Sequence, residues 1–451
     1  MQKTERVVVI GGDAAGMSAA SQARRMRADL QIVAFERGAY TSYSACGMPY
    51  YVGGVVADVE PLIARTPRQF LERGIQAHVR HEVESIDLQR RTVQVTRLED
   101  GGVLSEPFDH LVIGTGALPI RPTLPGIDAK GIYALSILED GIRVREAVER
   151  DRLRNAVIVG GGYIGLEMAE ALVMRGLNVS LVERHSAVMN TLDTDMGKIV
   201  SQALRDIGVT LYLEESVEGF ETDSGKVVCV KTDRRTLPAE LVILGVGTRP
   251  NIALAQDAGI PLGDTGAIKI NARMQTEVEG VWAAGDCAEA FHLISRRPVH
   301  IALGTIANKQ GRICGINLGG GYATFPGVVG TAVSKICAVE VARTGLNEKE
   351  ARALGLEYVV GKIESTTRAG YFPGAGKITV KVLAERATGR LLGAQLVGIE
   401  GAAKRIDVFA TALHANMTVE ELQYLDLSYA PPFAPVWDPI LIAARKAADQ
   451  L

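Results

Sequence analysis

The chain has 451 residues, of which 47% are hydrophobic, and it carries a formal net charge of −3. A single hydrophobic core rarely grows to this size, so we expect two to four domains. Nucleic-acid binding requires a concentrated basic surface, and this charge balance argues against a nucleic acid as the main partner.

The apolar runs and the cysteines indicate the compartment. Apolar runs such as residues 157–164 are interrupted by glycine after a few positions, which is typical of buried strands and not of membrane helices. The N-terminus leads almost at once into a predicted strand and leaves no room for a signal peptide. The cysteines at positions 46, 229, 287, 314 and 337 form neither a CxxC pair nor a metal-ligand spacing. We therefore expect a cytoplasmic protein with no membrane partner, no metal and no disulfide framework.

A predicted nucleotide-binding unit begins near the N-terminus. Residues 7–10 predict a strand, Gly11 and Gly16 flank a tight turn before an Ala-rich helix, and the next predicted strand ends at Glu36. Glycines let the backbone approach a pyrophosphate, and a carboxylate about 20 residues later accepts hydrogen bonds from ribose hydroxyls. Asp13 replaces the middle glycine of the GxGxxG pattern, so this copy is the weaker match.

Cys46 follows in a segment of small, polar and turn-forming residues, RGAYTSYSACGMPYYVGG. A lone cysteine is normally a small buried hydrophobe. Here the neighbours predict an accessible side chain, and Pro49 predicts the start of a helix. Since a thiol at a helix N-terminus has a lowered pKa, we expect Cys46 to be a reactive thiolate.

The second nucleotide-binding unit matches the motif in full. Gly160, Gly162 and Gly165 form GxGxxG between a predicted strand and helix, and the next predicted strand ends at Glu183. The two units lie about 150 residues apart, each with strand, turn, helix and acidic residue in the same order. They predict two bound dinucleotides.

Further segments have the same design. FDHLVIGTGALPIRP predicts a strand that ends in a turn containing Thr115 and Gly116, AELVILGVGTRPN repeats it, and TEVEGVWAAGDCAEA ends a short strand at Asp286. Together these segments resemble the pyridine nucleotide–disulfide reductases over essentially the whole chain. The resemblance implies an α/β fold with two Rossmann-like dinucleotide-binding domains, as in glutathione-reductase-like proteins, and a C-terminal α+β dimerisation domain. We predict FAD-binding segments over 1–118 and 250–324, an NAD(P)H-binding domain over 119–249 and the dimerisation domain over 325–451.

The resemblance also assigns the cofactors. In that family the first glycine turn holds the FAD pyrophosphate, the second holds NADH or NADPH, and the late Asp binds the flavin ribityl chain. The cofactor-binding residues implied in this chain are Gly11, Gly16, Glu36, Thr115, Gly116, Gly160, Gly162, Gly165, Glu167, Glu183, Asp286 and Lys309. Glu183 favours NADH because a carboxylate repels the 2′-phosphate of NADPH. Arg184 and His185, which follow directly, oppose that preference, so the coenzyme stays open.

Cys46 lacks the partner that many family members have. Those that reduce dithiol-linked substrates carry CxxxxC in this segment, whereas Thr41 stands five residues before Cys46. The pattern SxxxC, from Ser42 to Cys46, resembles the single-cysteine branch: coenzyme A disulfide reductases, NADH-dependent persulfide reductases, water-forming NADH oxidases and NADH peroxidases. This branch implies electron transfer from NAD(P)H through the flavin and Cys46, by a mixed disulfide or a sulfenic acid.

Residues elsewhere favour coenzyme A within that branch. The peroxidases and oxidases usually have His at the position of Ala14, where it acts as an acid–base partner. Gln22 and Arg25 match positions that contact coenzyme A, and with Ser42 they are the predicted substrate-binding residues. Trp437 replaces a basic residue of several relatives. Alternative phosphate partners are Arg65, Arg68 and Arg73.

Two tyrosines near the C-terminus complete the predicted catalytic set. Tyr371 and Tyr429 match residues that reach the thiol site of the other subunit, and with Cys46 they are the predicted catalytic residues. If they serve the partner's thiol, the monomer has an incomplete site, so the resemblance implies a homodimer.

Three functions follow as hypotheses. The first is a coenzyme A disulfide reductase that also acts on coenzyme A persulfide or polysulfide, with coenzyme A bound as substrate or product. The second is a water-forming NADH oxidase that uses a Cys46 sulfenate, and the third is a flavoprotein redox sensor with little turnover. The sequence leaves open the physiological acceptor, the choice of NADH or NADPH and the resting oxidation state of Cys46.

Overall fold

The computed structural model describes residues 4–150 and 153–451. Within these residues, three five-stranded sheets organise the chain, each with its own apolar core. Among the described residues, no helix combines the length and the apolar character that crossing a membrane requires.

The first part of the chain builds a parallel sheet. Its elements are β1 (Arg6–Ile10), α1 (Ala14–Met26), β2 (Gln31–Phe35), α2 (Met48–Gly53), α3 (Pro67–Leu71), β3 (Ile75–His78), β4 (His81–Asp87), β5 (Thr92–Arg97), β6 (Val103–Pro107), β7 (His110–Ile113) and β8 (Ala117–Pro119). β1 pairs in parallel with β2 and β7, and β2 pairs with β3. One face packs against α1 and the other against the antiparallel sheet of β4, β5 and β6. Strands covered on both faces need continuous apolar runs, as β1 has.

The second part repeats this design. Its elements are β9 (Ile132–Tyr133), α4 (Leu138–Arg150), β10 (Asn155–Val159), α5 (Tyr163–Met174), β11 (Asn178–Glu183), α6 (Thr194–Asp206), β12 (Thr210–Leu213), β13 (Val217–Asp223), β14 (Lys226–Thr232), β15 (Thr236–Pro238) and β16 (Leu241–Leu244). The parallel sheet has the order β12-β11-β10-β16-β9. It packs against α5 and α6 on one face and against β13, β14 and β15 on the other.

The chain then returns to the first sheet. The elements of this third part are β17 (Thr248–Pro250), α7 (Ala253–Asp257), β18 (Val281–Ala283), β19 (Ala290–His292), β20 (Arg297–Val299) and α8 (Gly304–Leu318). β18 pairs with β7 and completes the sheet order β18-β7-β1-β2-β3. α8 lies against α1, since a Cβ atom at Gly311 would come within 2.3 Å of the Ala15 carbonyl oxygen.

The crossing between the two nucleotide folds is a short ribbon in which β8 pairs antiparallel with β17. The predicted boundaries after residues 118 and 249 both fall inside this ribbon. The division into 1–118, 119–249, 250–324 and 325–451 stays a proposal.

The C-terminal part is built on an antiparallel sheet. Its elements are β21 (Ala332–Ile336), β22 (Val339–Gly345), α9 (Glu348–Ala353), β23 (Tyr358–Thr366), β24 (Lys377–Glu385), β25 (Leu391–Gly398), α10 (Ile406–His414), α11 (Val419–Leu422) and α12 (Pro439–Ala448). The strand order is β21-β22-β25-β24-β23, and helices α10 and α12 share its core. The predicted fold class, two Rossmann-like units with a C-terminal α+β unit, is confirmed.

Candidate active site

The two glycine turns have the same close packing. A Cβ atom at Gly11 would lie 2.1 Å from the carbonyl oxygen of Gly114, and one at Gly160 would lie 2.6 Å from that of Gly245. Gly11 and Gly160 also have positive φ angles, 106° and 98°. No side chain fits at either position, so the backbones meet directly and leave the turn open to a ligand.

The helix that follows each turn approaches it equally closely. A Cβ at Gly16 would lie 2.1 Å from the Gly11 carbonyl oxygen, and one at Gly165 would lie 2.1 Å from that of Gly160. A Cβ at Gly162 would meet nothing nearer than 3.6 Å. Folding therefore requires Gly16 and Gly165 for packing, whereas the glycine at 162 leaves space for a coenzyme.

The acidic residue of each unit is bonded to its own turn. Glu36 Oε2 accepts the Gly12 N–H at 2.7 Å, and Glu183 Oε2 accepts the Gly161 N–H at 2.7 Å. A carboxylate has about four lone-pair positions, so each retains capacity to accept a ribose hydroxyl. Burial raises the pKa of Glu36, while its hydrogen bonds with the backbone oppose that rise.

The surroundings of the Asp286 carboxyl indicate whether the first nucleotide fold can bind FAD. Its Oδ1 atom is buried and has no hydrogen-bond partner within the described part of the chain. Burial raises the pKa of this carboxyl. A buried acceptor without a donor is unfavourable, and ribityl hydroxyls would supply donors. The backbone oxygen of Asp286 lies 2.8 Å from His300 Nε2. These residues fit the FAD that the resemblance implies.

Thr115 and Gly116 lie at the crossing of the two folds. Thr115 Oγ1 donates to the Asn251 carbonyl oxygen at 2.6 Å, and the Asn251 N–H donates to the Gly116 carbonyl oxygen at 2.9 Å. Both predicted cofactor residues thus also hold β8 and β17 together.

Lys309 is exposed and lines a cavity of about 300 Å³ with Arg312 and His414. Its neighbour Gln310 is buried, and Gln310 Oε1 accepts the Gly285 N–H at 2.8 Å, directly before Asp286. Gln310 was not predicted from the sequence as a site residue. Its isolated position in a helix gave no motif that could have identified it.

Cys46 is held beside the first glycine turn. It is exposed and lies in a 3-10 turn, Ala45–Gly47, directly before α2, where Pro49 stands in the first helical turn as predicted. The Ser42 N–H donates to the Gly12 carbonyl oxygen at 2.9 Å, and the Tyr43 N–H donates to Asp13 Oδ1 at 3.1 Å. These two bonds join the Cys46 segment to the turn.

Asp13 therefore has a role that a glycine could not supply. Its carboxyl anchors Tyr43, and burial raises its pKa to about 7, with Glu36 and Asp286 adding to the rise. The residue that departs from GxGxxG in the first copy, Asp13, therefore joins the turn to the Cys46 segment.

Thr41 fills the position of the second cysteine. It is 1% exposed, and its Oγ1 donates to the Arg65 carbonyl oxygen at 2.8 Å. A buried hydroxyl that is bonded to the backbone offers no sulfur to Cys46. Cys287, Cys314 and Cys337 are buried and Cys229 is half-buried, so Cys46 is the most exposed thiol among the described residues.

The predicted lowering of the Cys46 pKa is wrong for the chain by itself. Protein atoms around the sulfur desolvate it and raise its pKa, and the carboxylates of Glu167 and Asp286 raise it further. The helix offers little compensation, because α2 has 6 residues and Cys46 lies before its first turn.

Glu167 comes from α5 in the second nucleotide fold. Its Oε1 accepts a hydrogen bond from Ser334 Oγ of β21 at 2.6 Å. Glu167 lies near enough to Cys46 for its charge to raise the pKa of the thiol. The second nucleotide fold is therefore close to Cys46. Sequence reasoning missed Ser334, which lies 167 residues further along the chain.

The predicted substrate residues Gln22 and Arg25 lie on α1, where Arg25 Nη1 donates to Gln22 Oε1 at 3.2 Å. Burial lowers the pKa of Arg65, and the nearby charges of Arg73 and Arg25 lower it further. We call Arg25, Arg65 and Arg73 the basic cluster. Arg25 and Arg73 lie near enough to Arg65 to lower its pKa, and such a concentration of positive charge is suited to phosphate groups. Arg68 pairs with Glu72 at 3.4 Å instead.

Tyr371 and Tyr429 are neighbours on the surface of the C-terminal part. They are 79% and 47% exposed. Desolvation raises the pKa of Tyr429, and the nearby Tyr371 raises it further. The Ala369 N–H donates to the Pro431 carbonyl oxygen at 3.1 Å and joins the two segments. Both phenols are therefore available to a second molecule.

Comparisons with known proteins agree with this geometry. Residues 5–311 match the family described as pyridine nucleotide-disulphide oxidoreductase, and residues 331–439 match its dimerisation domain. The NAD(P)H sulfur oxidoreductase (CoA-dependent) of Pyrococcus abyssi is 42% identical over 97% of each chain. An NADH oxidase of Methanocaldococcus jannaschii is 34% identical over 99% of each chain.

Two solved structures have nearly the same fold. The NAD-dependent persulfide reductase from A. fulgidus has a TM-score of 0.96 and 39% identity, covering 99% of this chain and 83% of that one. The reduced CoADR-RHD from Bacillus anthracis has a TM-score of 0.96 and 34% identity, covering 99% of this chain and 81% of that one.

Proposed function

Because the chain belongs to the pyridine nucleotide-disulphide oxidoreductase family, we propose that it reduces a sulfur–sulfur bond of coenzyme A. The bond is that of coenzyme A disulfide, persulfide or polysulfide. The chain is an NAD(P)H-dependent flavoprotein oxidoreductase. The observation that carries the proposal is the exposed Cys46 thiol with the buried hydroxyl of Thr41 at its missing partner's position.

The cofactor sites follow from the two glycine turns. FAD held in the first fold would supply the two-electron chemistry that links NAD(P)H to a sulfur–sulfur bond. The residues proposed to hold it are Gly11, Gly16, Glu36, Thr115, Gly116, Asp286 and Lys309. The residues proposed for NAD(P)H are Gly160, Gly162, Gly165, Glu167 and Glu183.

Cys46 acts as the nucleophile. Its thiolate attacks the coenzyme A sulfur of the substrate, so a bond forms between the two sulfurs while the original sulfur–sulfur bond breaks. The other half leaves as a thiolate or hydrosulfide and takes a proton. The two electrons of one NAD(P)H then reduce the mixed disulfide, which releases coenzyme A thiol and restores Cys46.

The basic cluster supports coenzyme A over smaller thiols. Coenzyme A carries phosphate groups far from its sulfur, and guanidinium groups bind phosphate with paired hydrogen bonds. We propose that Arg25, Arg65 and Arg73 bind these phosphates, that Gln22 orients Arg25, and that Ser42 lies beside the thiol end. The name of the Pyrococcus relative, which states coenzyme A dependence, supports the same substrate.

We further propose that the active unit is a homodimer. The match to a dimerisation domain and the exposure of Tyr371 and Tyr429 support it. Each pair of phenols would reach the partner's thiol site, where an O–H group can donate to the departing thiolate.

The test is NADH consumption without oxygen, with coenzyme A disulfide or coenzyme A persulfide as acceptor. We expect turnover by the native protein and a loss of at least about a thousandfold in Cys46→Ser. Turnover that survives this substitution would refute the proposal.

An NADH oxidase is the second candidate, supported by the relative of that name at 34% identity. Ala14 at the start of α1 provides no imidazole for acid–base chemistry with peroxide or oxygen. The two functions are separated by oxygen uptake: an oxidase consumes NADH rapidly in air without a thiol substrate, and the proposed reductase does not.

A further inference from the structure

Lys381 is a buried lysine outside the site described above. It lies on β24, is 3% exposed, and its Nζ atom is 3.0 Å from Asp193 Oδ2, 2.9 Å from Asp195 Oδ1 and 2.5 Å from Glu348 Oε1. We call these four residues the Lys381 cluster. The ligand atoms of the three acids lie within 4.8 Å of one another. Carboxylates this close repel unless a cation lies among them, and the ammonium group is that cation.

The Lys381 cluster joins two parts of the chain. Asp193 occupies the N-cap position of α6, without a capping hydrogen bond from its side chain, and Asp195 lies in the first turn of this helix, in the second nucleotide fold. Lys381 and Glu348 belong to the C-terminal part. Gln395 of β25 strengthens the junction, because it accepts the Asp193 N–H at 2.7 Å and donates to Asp193 Oδ2 at 2.7 Å.

The residues before Asp193 connect this junction to the second glycine turn. The Met189 N–H donates to the Gly161 carbonyl oxygen at 2.7 Å, and the Leu192 N–H donates to the Met189 carbonyl oxygen at 2.8 Å. The Thr191 carbonyl oxygen accepts from Arg343 Nη1 of β22 at 2.6 Å. We call residues 189–195 the coenzyme loop, since they run from the turn to the Lys381 cluster.

We infer that Lys381 is a positioning residue for NAD(P)H, acting through the coenzyme loop on the second glycine turn. Without the ammonium group, the three carboxylates repel one another, and only the remaining hydrogen bonds, such as those from Gln395 and Arg343, hold the coenzyme loop to the C-terminal part. The turn then loses the support that aligns it with the coenzyme pyrophosphate. This inference rests on the assignment of that turn to NAD(P)H, and it does not depend on coenzyme A.

The experiment measures the KM for NADH with ferricyanide as electron acceptor, so that neither Cys46 nor coenzyme A takes part. In Lys381→Met, with FAD content and dimer state equal to those of the native protein, we expect the KM to rise roughly tenfold or more. The kcat at saturating NADH should fall by a smaller factor, because bound coenzyme restores the turn. A merely structural role would lower the amount of folded protein and leave the KM unchanged.

Lys362→Met is the matched control. The Lys362 side chain is 39% exposed and its Nζ contacts Asp195 Oδ2 at 2.7 Å. The substitution therefore removes a more exposed positive charge from the same acid. Its KM for NADH should stay within about twofold of the native value, since exposed ion pairs contribute little. An equal rise in both variants would overturn the inference.

Asp195→Asn covers the case in which Lys381→Met does not fold. The Asp195 side chain is also partly exposed, and asparagine keeps an oxygen for Lys381 but loses the charge that attracts the ammonium group to the coenzyme loop, so this variant weakens the junction without adding repulsion. We expect an intermediate rise in the KM for NADH. A native KM in a folded Lys381→Met, or in Asp195→Asn if the first variant fails to fold, would overturn the inference. A failed coenzyme A reductase assay would leave this result intact.

Discussion

The carboxylate of Glu183 accepts the backbone N–H of Gly161 at 2.7 Å. This bond fixes a negative charge at the end of β11, beside the turn proposed to bind the coenzyme. The other carboxylate oxygen lies 2.6 Å from His185 Nδ1, and Arg184 is exposed. The 2′-phosphate of NADPH would meet the Glu183 charge directly, and the nearby basic groups reduce that repulsion.

Glu183→Gln should therefore shift the coenzyme preference toward NADPH. Glutamine still accepts the Gly161 N–H, so the change removes charge and retains the turn. We expect the kcat/KM ratio of NADPH to NADH to rise roughly tenfold, which corresponds to about 1.4 kcal/mol. Glu36→Gln is the control, because Glu36 makes the same contact in the first turn. A ratio that stays constant in Glu183→Gln contradicts the assignment.

Glu167→Gln should make Cys46 more reactive. Although Cys46 is exposed, the protein atoms around its sulfur desolvate it and raise its pKa, and the Glu167 carboxylate raises that pKa further. Removing that charge lowers the pKa and increases the thiolate fraction near neutral pH, so alkylation by iodoacetamide should become a few-fold faster. The rate is measured on the Cys46 peptide by mass spectrometry across pH.

Glu170→Gln is the comparison for this measurement. Glu170 lies on the same helix, but its Oε2 accepts the Cys337 N–H at 2.8 Å. Its substitution should leave the alkylation profile of Cys46 unchanged. Identical profiles for both variants would show that Glu167 does not act on the thiol.

Asp13→Asn should change the pH dependence of stability. The pKa of Asp13 rises from 3.8 to about 7 in the folded chain, so the folded state holds this proton more tightly than the unfolded state. The stabilising contribution is complete below about pH 4, where both states are protonated, and is lost progressively as pH rises to about 7. Asparagine does not ionise, so the free energy of unfolding of Asp13→Asn should rise relative to that of the native protein as pH goes from about 4 to about 7, by up to about 4 kcal/mol, and its relative Tm should rise with it. Parallel Tm curves would contradict this.

Arg65→Gln should weaken the binding of coenzyme A substrates. We expect the KM for coenzyme A disulfide to rise several-fold and its salt dependence to fall, with a smaller change in kcat. Pantethine, the disulfide without the nucleotide, should show no such change. Arg68→Gln is the matched control, since the Arg68 side chain is 89% exposed and pairs with Glu72. Equal effects of both substitutions would exclude a specific phosphate site.

The glycine turns could be predicted from the sequence because their geometry is local. Strand, turn, helix and the acids at 36 and 183 follow one another within about 30 residues, and each spacing has one physical interpretation. The missing partner of Cys46 could be read in the same way from Thr41. The roles assigned to Tyr371 and Tyr429 stay predictions, because they depend on a second subunit.

What the sequence could not predict depends on distant residues. The pKa direction of Cys46 is set by burial together with Glu167 and Asp286, which come from two other parts of the chain. Lys381 and Asp195 are 186 residues apart and meet only after both parts have folded. No local pattern marks such pairs, since each residue alone looks like an ordinary surface charge.

The central claim is that Cys46 forms a mixed disulfide with coenzyme A, and peptide mass spectrometry tests it most directly. The protein is incubated with coenzyme A disulfide without oxygen and then digested. We predict one coenzyme A on the Cys46 peptide, released by reductant and absent from Cys46→Ser. A Cys46 that carries only oxygen adducts, or coenzyme A attached to another cysteine, would contradict the claim.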